Sequence, residues 1–473
     1  MKRRAKIIAT LGPASDDPEV LKEMIAAGVN VVRLNLSHGT HSEHQARIDR
    51  VRHCSEIIGE DVGILADLQG PKIRIDRFKQ GEIKLEVGGR FVLDTSLDAD
   101  AGDEHHVGVT YKKLAKDVAP GDLLLLDDGQ IQLEVTDVQG TRVVCKVTVG
   151  GTLSNNKGIN RYGGGLSAAA LTKKDKEDIV FAADAGVDFL AVSFPRHAED
   201  MRQARKLFEK AGGDGALIAK IERAEAVDNI TAIMAESEAV MVARGDLGIE
   251  IGDAELPAVQ KRIIKLSRTM GCVSITATQM MDSMAHSPIP TRAEVLDVAN
   301  AVLDGTDAVM LSQETAVGEY PVETVKAMDR VCLGAEKGHT TRVARLHDVE
   351  RFDKADEAIA MSAMYLARHY HVRAIVAITE SGSTTLGMSR VRSGIPIYAL
   401  TRHERTRRRV TLYRGVYPLA FDILEIDPAN VEQVMTQRLR EHNVIEKGDQ
   451  VVFTRGDESG IAGGTNTLKI VTA

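Results

Sequence analysis

The chain has 473 residues, of which 43% are apolar and 27% charged, and its formal net charge is −8. A chain of this length can form several domains around a large buried core. The acidic balance argues against general binding to nucleic acid or to membrane surfaces, because both need a surplus of Lys and Arg. We therefore expect neither partner, and we expect any positive field for a phosphorylated substrate to be local.

The cysteines and the N-terminal segment exclude two further classes. The four cysteines, Cys54, Cys145, Cys272 and Cys332, include no C-x-x-C pair. Reduced thiols are therefore expected, not disulfides or a zinc site. The apolar run after MKRR is too short for a signal peptide, and no stretch approaches the roughly 20 apolar residues of a membrane span. These features predict a cytoplasmic protein without a membrane partner.

Eight short apolar runs alternate with amphipathic helical patterns. Runs of this length, rich in Val, Ile, Leu and Ala, are typical of parallel strands buried on both faces. Eight such units predict an α/β fold with a (β/α)8 TIM barrel, and an open doubly wound sheet is the main alternative. The runs are KIIATLG at 6–12, VVRLNLS at 31–37, GILADLQG at 63–70, DFLAVSF at 188–194, ALIAKIE at 216–222, AVMVARGDLG at 239–248, VSITATQ at 273–279 and AVMLSQET at 308–315.

Two segments depart from the barrel pattern. Residues 71–166 contain strand-like runs, Gly-rich turns and no convincing helix, which predicts a small all-β domain inserted into a barrel formed by 1–70 and 167–340. At the active-site face such a domain can act as a lid, with LQGPKIR and GGGLS as its hinges. From about residue 345 the α/β pattern restarts with RAIVAITE, IPIYALT and QVVFTRG, so 345–473 is predicted to be a separate C-terminal α/β domain.

Polar side chains gather at the C-terminal ends of the predicted barrel strands, the rim where barrel enzymes carry out catalysis. Glu222 and Asp246 lie on adjacent strands and can hold a divalent metal, Mg²⁺ or Mn²⁺, through hard oxygen ligands. Lys220 lies two residues before Glu222 and so points to the same side of its strand. Arg33 supplies a second cation. The other rim residues are Thr10, Asn35, Ser37, Asp67, Arg244, Thr278 and Ser312.

A metal beside Lys and Arg side chains suits a substrate whose phosphoryl oxygens redistribute charge in the transition state. Each residue taken alone also has a structural explanation: Asp246 as a helix cap, Asn35 and Ser37 as turn residues, and Lys220 with Glu222 as an ion pair. Their common position at strand ends favours a catalytic site for the set.

The sequence resembles the pyruvate kinase family along essentially its whole length. The matching motifs occur in the family's order, and the resemblance is strongest to the bacterial branch that responds to AMP and sugar monophosphates. It implies transfer of the phosphoryl group of phosphoenolpyruvate to ADP, giving pyruvate and ATP. The motifs are KIIATLGPAS, VVRLNLSHG, DLQGPKIR, AKIERAEAV, MVARGDLGIEI, TATQMMDSM, PTRAEVLDVANAVLDGTDAVMLSQETA and TESGSTT.

The resemblance implies roles for matching residues. Glu222 and Asp246 would bind the divalent metal, and Lys220 would stabilise the phosphoryl group in flight. Arg33 would contact the substrate phosphate, supported by Arg74 at the lid hinge. The remaining implied roles are substrate seating by the main chain at Arg244 and Gly245, contact with the carboxylate and enolate by Thr278, a proton relay at Ser312, and nucleotide binding by Asn35, His38 and Lys157.

This chain departs at one position from the monovalent-cation site of the family. Members that need K⁺ bind it with residues matching Asn35, Ser37, Asp67 and the carbonyl of Leu68, and they carry Glu where this chain has Lys72. An ammonium there can replace the cation electrostatically. We therefore expect activity without K⁺, the alternative being that Lys72 is a solvated hinge residue.

The family binds its effector phosphate at the loop that matches Thr379, Glu380, Ser381, Gly382, Ser383 and Thr384. Small and hydroxyl residues there offer main-chain N–H groups and hydroxyls to a phosphate. Members that bind fructose 1,6-bisphosphate carry Lys where this chain has Glu380, so we expect AMP or a sugar monophosphate as activator. A second loop at 454–467 is predicted to close over it. The resemblance also implies a homotetramer.

Three alternatives remain open from the sequence. The basic stretch RHERTRRR at 402–409 is interpreted either as a solvated helix face or as part of a subunit interface or effector site. The chain could instead be another barrel enzyme that performs mutase or aldol chemistry. It could also be a sugar-phosphate or nucleotide sensor on an inactive barrel. A sensor, however, has no need of the whole set Arg33, Lys220, Glu222, Asp246 and Thr278.

Overall fold

The computed structural model describes residues 2–337, 352–457, 460–461 and 463–473. Its first segment contains three strands and two helices. Helix capping explains where these helices begin: Asp17 accepts a hydrogen bond from the Glu19 amide, and Thr40 and Glu43 form a reciprocal capping box. The elements are β1 (Lys6–Thr10), α1 (Pro18–Ala26), β2 (Val31–Asn35), α2 (His41–Ile58) and β3 (Gly63–Asp67), with a 3-10 turn at Pro13–Ser15.

Residues 71–166 consist of small sheets around their own apolar core, as the sequence predicts. One sheet has the order β11-β7-β8-β9-β5-β6, and β10 pairs with β4. The sequence predicts no convincing helix here, and the helix that this segment contains, α3, is a single turn of four residues. The elements are β4 (Glu82–Leu85), β5 (Arg90–Asp94), β6 (His106–Gly108), α3 (Leu114–Asp117), β7 (Leu123–Leu126), β8 (Ile131–Gln139), β9 (Arg142–Val149), β10 (Gly151–Ser154) and β11 (Ile159–Arg161).

The rest of the barrel follows as βα units. Its helices again begin at capping boxes, such as Thr172 with Asp175 and Thr291 with Glu294. The elements are α4 (Lys173–Asp184), β12 (Phe189–Val192), α5 (Ala198–Lys210), β13 (Ala216–Ile221), α6 (Ala224–Asp228), α7 (Ile230–Ala235), β14 (Ala239–Ala243), α8 (Arg244–Ile251), α9 (Leu256–Thr269), β15 (Val273–Ala277), a 3-10 turn at Asp282–Ala285, α10 (Arg292–Asp304), β16 (Ala308–Leu311), α11 (Gln313–Ala316) and α12 (Pro321–Lys337).

The eight parallel strands close into a barrel in the order β1-β16-β15-β14-β13-β12-β3-β2. The predicted (β/α)8 barrel is therefore confirmed, and the open doubly wound sheet is wrong. Side chains such as Leu65, Ile218 and Met241 are fully buried and belong to one apolar cluster. Because all strands run the same way, their C-terminal ends form a single rim that carries the polar residues.

The C-terminal part is a five-stranded sheet of order β19-β18-β17-β20-β21, with β21 antiparallel to β20. The sequence predicts β17, β18 and β20 but misses β19 and β21. Residues 345–351 of the predicted domain, and 458, 459 and 462 of the predicted second loop, lie outside the described residues. The elements are α13 (Ala355–His369), β17 (Ala374–Ile378), α14 (Ser383–Val391), β18 (Ile397–Thr401), α15 (Glu404–Val410), β19 (Val416–Ala420), a 3-10 turn at Ile423–Glu425, α16 (Val431–Glu441), β20 (Gln450–Gly456) and β21 (Thr465–Thr472).

The basic stretch 402–409 joins this sheet to the barrel. Arg408 Nε donates to the buried Asp188 carboxylate at 2.9 Å, and Arg407 Nε lies 3.1 Å from Asp61 Oδ2. Both acidic residues lie at the N-terminal end of the barrel, next to β12 and β3. The interpretation of the whole stretch as a solvated face is therefore wrong. Its central arginines form ion pairs between the barrel and the C-terminal part of the same chain.

Candidate active site

Lys220 lies at the centre of a buried polar cluster on the barrel rim. Its Nζ donates to Ser193 Oγ at 2.7 Å and lies 3.0 Å from Glu222 Oε1 and 3.2 Å from Asp67 Oδ1. Burial favours the neutral amine, but the two carboxylates outweigh it and raise the pKa of Lys220 above its ordinary value. The side chain is therefore a fixed ammonium at the mouth of the barrel.

Arg33 shares the Asp67 carboxylate with Lys220. Arg33 Nε donates to Asp67 Oδ2 at 2.7 Å, and its Nη1 donates to Thr10 Oγ1 at 3.1 Å. Burial alone favours a protonated carboxyl, but Lys220 and Arg33 hold the pKa of Asp67 below its ordinary value. One buried carboxylate thus orients two cations toward the same side of the rim.

Glu222 and Asp246 supply two carboxylates to the same cluster. Glu222 Oε2 accepts a hydrogen bond from the Phe194 amide at 2.8 Å. Burial raises the pKa of Glu222, Lys220 opposes this shift, and the negative charge of Asp246 adds to it. The mutual repulsion of these carboxylates is what a divalent cation would relieve, and their oxygens are the donors that Mg²⁺ prefers.

The residues described contain no cluster of three or more His, Cys, Asp or Glu side chains arranged to hold a metal. A metal at Glu222 and Asp246 therefore needs further oxygen ligands from water and substrate. This is the usual mode for Mg²⁺, which keeps several waters and binds substrate phosphates. The donor set fits such an ion.

Lys72 contacts Asp246 across the junction between the barrel and the inserted segment. Its Nζ donates to Asp246 Oδ1 at 3.1 Å, and both side chains are partly exposed. Of the predicted monovalent-cation ligands, Asn35 Oδ1 accepts from the Ser37 amide at 3.2 Å, and the Leu68 carbonyl accepts from Ser193 Oγ at 2.7 Å. The ammonium of Lys72 is thus an element of the carboxylate cluster.

Thr278 has a left-handed backbone, with φ of +71°. Its Oγ1 accepts a hydrogen bond from the Gly245 amide at 3.0 Å, and its carbonyl accepts one from Arg244 Nη2 at 2.6 Å. Arg244 is held in turn by Asp297 on α10, at 2.8 Å. The end of β15 and the start of α8, which carries Asp246, are therefore fixed to one another.

Ser312 directly follows the last barrel strand, β16, and lies beside a buried carboxylate. The Ser312 amide donates to Glu314 Oε2 at 2.6 Å, and the Met281 amide donates to Glu314 Oε1 at 3.2 Å. Burial raises the pKa of Glu314, although these two amides oppose the shift. Glu314 thereby fixes the backbone position of Ser312 on the rim.

Other predicted site residues make their contacts away from this cluster. Arg74 Nη1 donates to the Asn156 carbonyl at 2.9 Å, and Lys157 Nζ lies 2.8 Å from Asp127 Oδ1, both within the inserted β segment. The His38 carbonyl accepts from His44 Nε2 at 2.8 Å. In this conformation the structure does not join Arg74, Lys157 or His38 to the cluster around Lys220.

Ser193 and Phe194 were missed by the sequence analysis. Ser193 Oγ accepts from Lys220 and donates to the Leu68 carbonyl, while Phe194 has a left-handed φ of +54° and directs its amide to Glu222. A signal was available for Ser193, because it directly follows β12 at the height of the other rim residues. For Phe194 no signal existed, since an apolar side chain does not reveal a functional amide.

The predicted effector loop precedes and begins α14. The Gly382 amide donates to Thr379 Oγ1 at 2.9 Å, and Thr384 Oγ1 lies 2.9 Å from Thr465 Oγ1 on β21. Glu380 contacts His403 and lies 3.4 Å from Arg402 Nε, so the first residues of the basic stretch do reach this loop. A small cleft of about 20 Å³ lies between the loop and Gly456, Gly460, Ile461, Gly463 and Thr465.

No helix within the described ranges is long and apolar enough to cross a membrane. The described cysteines are all free and buried, as expected from their spacing. Burial raises the pKa of the Cys272 and Cys332 thiols to about 12, so they remain protonated. Neither observation adds a reactive group to the rim.

Comparisons with known proteins cover nearly the whole chain. The model of the pyruvate kinase barrel domain matches residues 2–325, and that of the pyruvate kinase alpha/beta domain matches 357–471. Pyruvate kinase II of Salmonella typhimurium is 55% identical, covering 99% of this chain and 98% of its own. The pyruvate kinases of Haemophilus influenzae (53% identical, 96% of both chains) and Mycobacterium intracellulare (42%, 99% and 98%) also match. The chain belongs to the pyruvate kinase family.

Proposed function

We propose that this pyruvate kinase carries out phosphoryl transfer at the cluster around Lys220. Phosphoenolpyruvate and ADP are its substrates, and pyruvate and ATP are its products. The observation that carries the assignment is the ammonium of Lys220, fixed by three oxygen atoms from Ser193, Glu222 and Asp67. A preorganised cation stabilises charge that develops on a transferred phosphoryl group without reorganising during the reaction.

Glu222 and Asp246 are proposed to hold the divalent metal, Mg²⁺ or Mn²⁺. When bound, such an ion neutralises phosphoryl charge and orients the substrate oxygens. The raised pKa of Glu222 beside Asp246 supports this assignment, since a cation between them would relieve their repulsion. In the structure Lys72 forms an ion pair with Asp246. If a metal ion binds, the Asp246 carboxylate would contact both the ion and the Lys72 ammonium.

Arg33 is proposed to bind the phosphate of phosphoenolpyruvate, because it shares Asp67 with Lys220. Arg244 and Gly245 would seat the substrate through their main chain. Thr278, bonded to the Gly245 amide, would lie by the carboxylate and enolate. Ser312 would relay the proton that converts the enolate to pyruvate.

The nucleotide side is proposed to include Asn35, His38 and Lys157, with Arg74 supporting the substrate phosphate. Arg74 and Lys157 now bond within the inserted segment. Their participation therefore requires this segment to move toward the rim, as a lid does. The proposed division is a barrel of 1–70 and 167–340, a lid of 71–166 and a C-terminal domain of 345–473.

Lys72 is proposed to replace a monovalent cation. The supporting observation is its ammonium, 3.1 Å from Asp246 in the same cluster that contains Asp67 and Glu222. The proposal gives Asn35, Ser37, Asp67 and the Leu68 carbonyl a structural role in place of K⁺ coordination. Activity without K⁺ is the expected consequence.

A monophosphorylated activator, AMP or a sugar monophosphate, is proposed to bind the loop from Thr379 to Thr384. The hydroxyls and the start of α14 support phosphate binding there. Glu380 supports the preference for a single phosphate, because its carboxylate already uses Arg402 and His403. The cytoplasmic location and the homotetramer, through which such control would act, belong to the same proposal.

The test is pyruvate formation from phosphoenolpyruvate and ADP with Mg²⁺, comparing the natural chain with Lys220→Met. Removing a transition-state cation should lower kcat by about 10²–10³-fold. Arg440→Met, at an exposed position on α16, is the control for loss of a surface cation and should leave the rate unchanged. Metabolite binding without turnover in the natural chain would support the sensor. Pyruvate formation independent of ADP would support another barrel enzyme.

A further inference from the structure

A cleft of about 130 Å³ lies between the barrel and the C-terminal sheet, away from the rim and from the loop 379–384. It is bounded by the last turns of α9 and α10, the end of α14 and the residues that precede β18 and β19. Four of its lining residues are arginines, whereas Asp304 is its one acidic lining residue among those the structure describes: the arginines are Arg4, Arg268, Arg392 and Arg414.

The acidic groups near the cleft are already paired. Asp304 Oδ1 lies 2.5 Å from Lys261 Nζ. Asp307 is bonded by both terminal nitrogens of Arg390 at 2.7 Å, and Glu336 accepts the amides of Arg4 and Ala5 at 2.8 and 2.7 Å. Glu336 also pairs with Arg4 and Arg414, at 3.5 and 3.4 Å, and Asp307 lies 3.9 Å from Arg392 Nη2. Each of these two carboxylates is therefore shared between two arginines, which leaves the cleft with an excess of positive charge.

The arginines retain unused donors. Arg392 donates to the Gly305 carbonyl and Arg414 to the Thr306 carbonyl, both just beyond the end of α10. The Nε atoms of Arg392 and Arg4 are nevertheless buried without a hydrogen-bond partner in the described part of the chain. Each guanidinium has five N–H donors, so capping one carbonyl leaves most of them available.

Arg268 has no ion-pair or hydrogen-bond partner for its side chain within the ranges that the structure describes. Arg268 lies on α9, and its positive charge is one of those that lower the pKa of Arg392. Burial and then the Arg414 guanidinium lower the pKa of Arg392 to about 9, with further contributions from Arg390 and Arg268. Asp307 opposes this shift. The cleft thus carries more positive than negative charge in a partly desolvated place, where the excess is costly without an anion.

We propose that this cleft binds a tetrahedral oxyanion of the phosphate class, either free or as a phosphomonoester. Guanidinium groups match the oxygens of such an anion in geometry and charge. The ligand would pair with Arg268 and with the accessible parts of the Arg4 and Arg392 guanidinium groups, whose side chains are 15% and 20% exposed. Because the barrel and the C-terminal sheet both contribute arginines, binding there would fix these two parts against each other.

The test is titration calorimetry of the full-length protein with inorganic phosphate in a chloride buffer. Arg268→Gln removes one charge without removing any described contact, so it should fold, and it should weaken binding about tenfold. Arg268→Glu should weaken binding further. Arg440→Gln, the matched exposed control on α16, and Thr384→Val in the loop 379–384 should leave the cleft's isotherm unchanged.

Three outcomes would overturn the proposal. They are an unchanged phosphate isotherm in Arg268→Gln and Arg268→Glu, loss of the isotherm in Thr384→Val, and acetate binding as tightly as phosphate. Sulfate binding with the same dependence on Arg268 would support a site for tetrahedral anions. Glycerol 3-phosphate then distinguishes the source: tighter binding than inorganic phosphate indicates a phosphomonoester, and weaker binding indicates the free ion.

Discussion

At the scale of single residues, Ser193 controls the position of the Lys220 ammonium. It accepts a hydrogen bond from Nζ at 2.7 Å and is itself fixed by donating to the Leu68 carbonyl at 2.7 Å. Loss of this acceptor leaves Lys220 to its carboxylate partners, Glu222 and Asp67. These partners would draw the ammonium away from its position beside Ser193, where we propose that it stabilises the transferred phosphoryl group.

Ser193→Ala is therefore expected to lower kcat about tenfold, the equivalent of one charge-assisted hydrogen bond. The KM for phosphoenolpyruvate should change less, and the pH profile of kcat should shift, which a purely structural role would not produce. Ser274→Ala is the matched control, because Ser274 is a buried serine of β15 that bonds Asp307 at the opposite end of the barrel. Equal kcat values for Ser193→Ala and the natural chain would contradict a positioning role.

Lys72 is a second single residue with a testable consequence. Lys72→Glu replaces the ammonium beside Asp246 with a fourth carboxylate, in addition to Asp67, Glu222 and Asp246, so the cluster should need an added monovalent cation. We expect the variant to be activated many-fold by K⁺, while the natural chain is not. Steady-state rates in K⁺- and Na⁺-free buffer, with tetramethylammonium keeping the ionic strength constant, measure this.

Lys79→Glu makes the same charge change at an exposed residue of the inserted segment. It should remain insensitive to K⁺. A natural chain that itself requires K⁺ would contradict the proposal, and so would a Lys72→Glu variant that does not respond to the ion.

At the scale of elements, the contact between α8 and the inserted β segment depends on Glu250. Its carbonyl accepts from the Gly163 amide at 2.8 Å, and its side chain accepts from the Ala224 amide at 3.0 Å. Burial raises the pKa of Glu250 to about 7, although the Ala224 amide and Arg223 oppose the shift. The main-chain carbonyl of Glu250 thus contacts Gly163, the first residue of the predicted hinge GGGLS, while its carboxyl bonds the Ala224 amide.

The sign of its pH effect follows from linkage. A carboxyl whose pKa is raised in the folded state favours folding at low pH, and this contribution is lost between its ordinary pKa of 4.5 and about 7. Glu250→Gln keeps an acceptor oxygen but cannot ionise. The variant should match the natural chain near the acidic end of this range and become more stable than it toward neutral pH.

Thermal unfolding of both chains across this pH range is the measurement. Glu43→Gln, on the exposed capping box of α2, is a control for loss of a carboxylate whose pKa is lowered. Toward neutral pH, Glu43→Gln should be less stable than the natural chain, whereas Glu250→Gln should be more stable than it. A constant difference between Glu250→Gln and the natural chain at every pH would exclude titration of Glu250.

Element prediction succeeded where the pattern was local and failed where it was not. The eight barrel strands are buried on both faces, so each is a continuous apolar run that sequence reveals. β19 (VYPLA) contains Pro418 and becomes progressively exposed, and β21 (TNTLKIVT) is an antiparallel edge strand with polar residues. Edge strands carry a weak apolar signal, which explains both omissions.

The site residues also fall into those that the sequence predicts and those that it does not. Rim residues such as Lys220, Glu222 and Asp246 follow directly from strand ends in a barrel, so position along the chain predicts them. Functional main-chain groups, such as the Phe194 amide, depend on a backbone angle that no side chain announces. The pairing of Lys72 with Asp246 joins residues far apart in sequence and could not be deduced from either residue.

At the scale of the whole molecule, the barrel and the C-terminal part are joined through Asp188. This buried carboxylate accepts from Arg52 Nη2 at 2.9 Å, from Arg408 Nε at 2.9 Å and from the Ile64 amide at 2.9 Å. The sequence could show that 402–409 is basic. It could not show that these arginines form ion pairs with acidic groups at the N-terminal end of the barrel, which are distant in sequence.

Arg408→Gln is expected to destabilise the folded chain by about 1–3 kcal/mol, because a buried carboxylate loses one charged partner while Arg52 and the Ile64 amide remain. Asp188→Asn alone should cost a comparable amount. Together the two changes should cost less than their sum, because the removed groups are partners. Arg438→Gln, whose partner Glu441 is half-exposed on the same helix, is the control and should cost little.

Thermal or denaturant unfolding of the single and double variants gives the coupling free energy between Arg408 and Asp188. Steady-state kinetics shows whether breaking this ion pair changes catalysis at the rim. The ion pair lies at the end of the barrel opposite to Lys220, so kcat without an activator should stay near that of the natural chain. If the C-terminal part acts on catalysis through this junction, Arg408→Gln should reduce the response to AMP or a sugar monophosphate. Strictly additive destabilisation by the two changes would contradict direct coupling of Arg408 with Asp188.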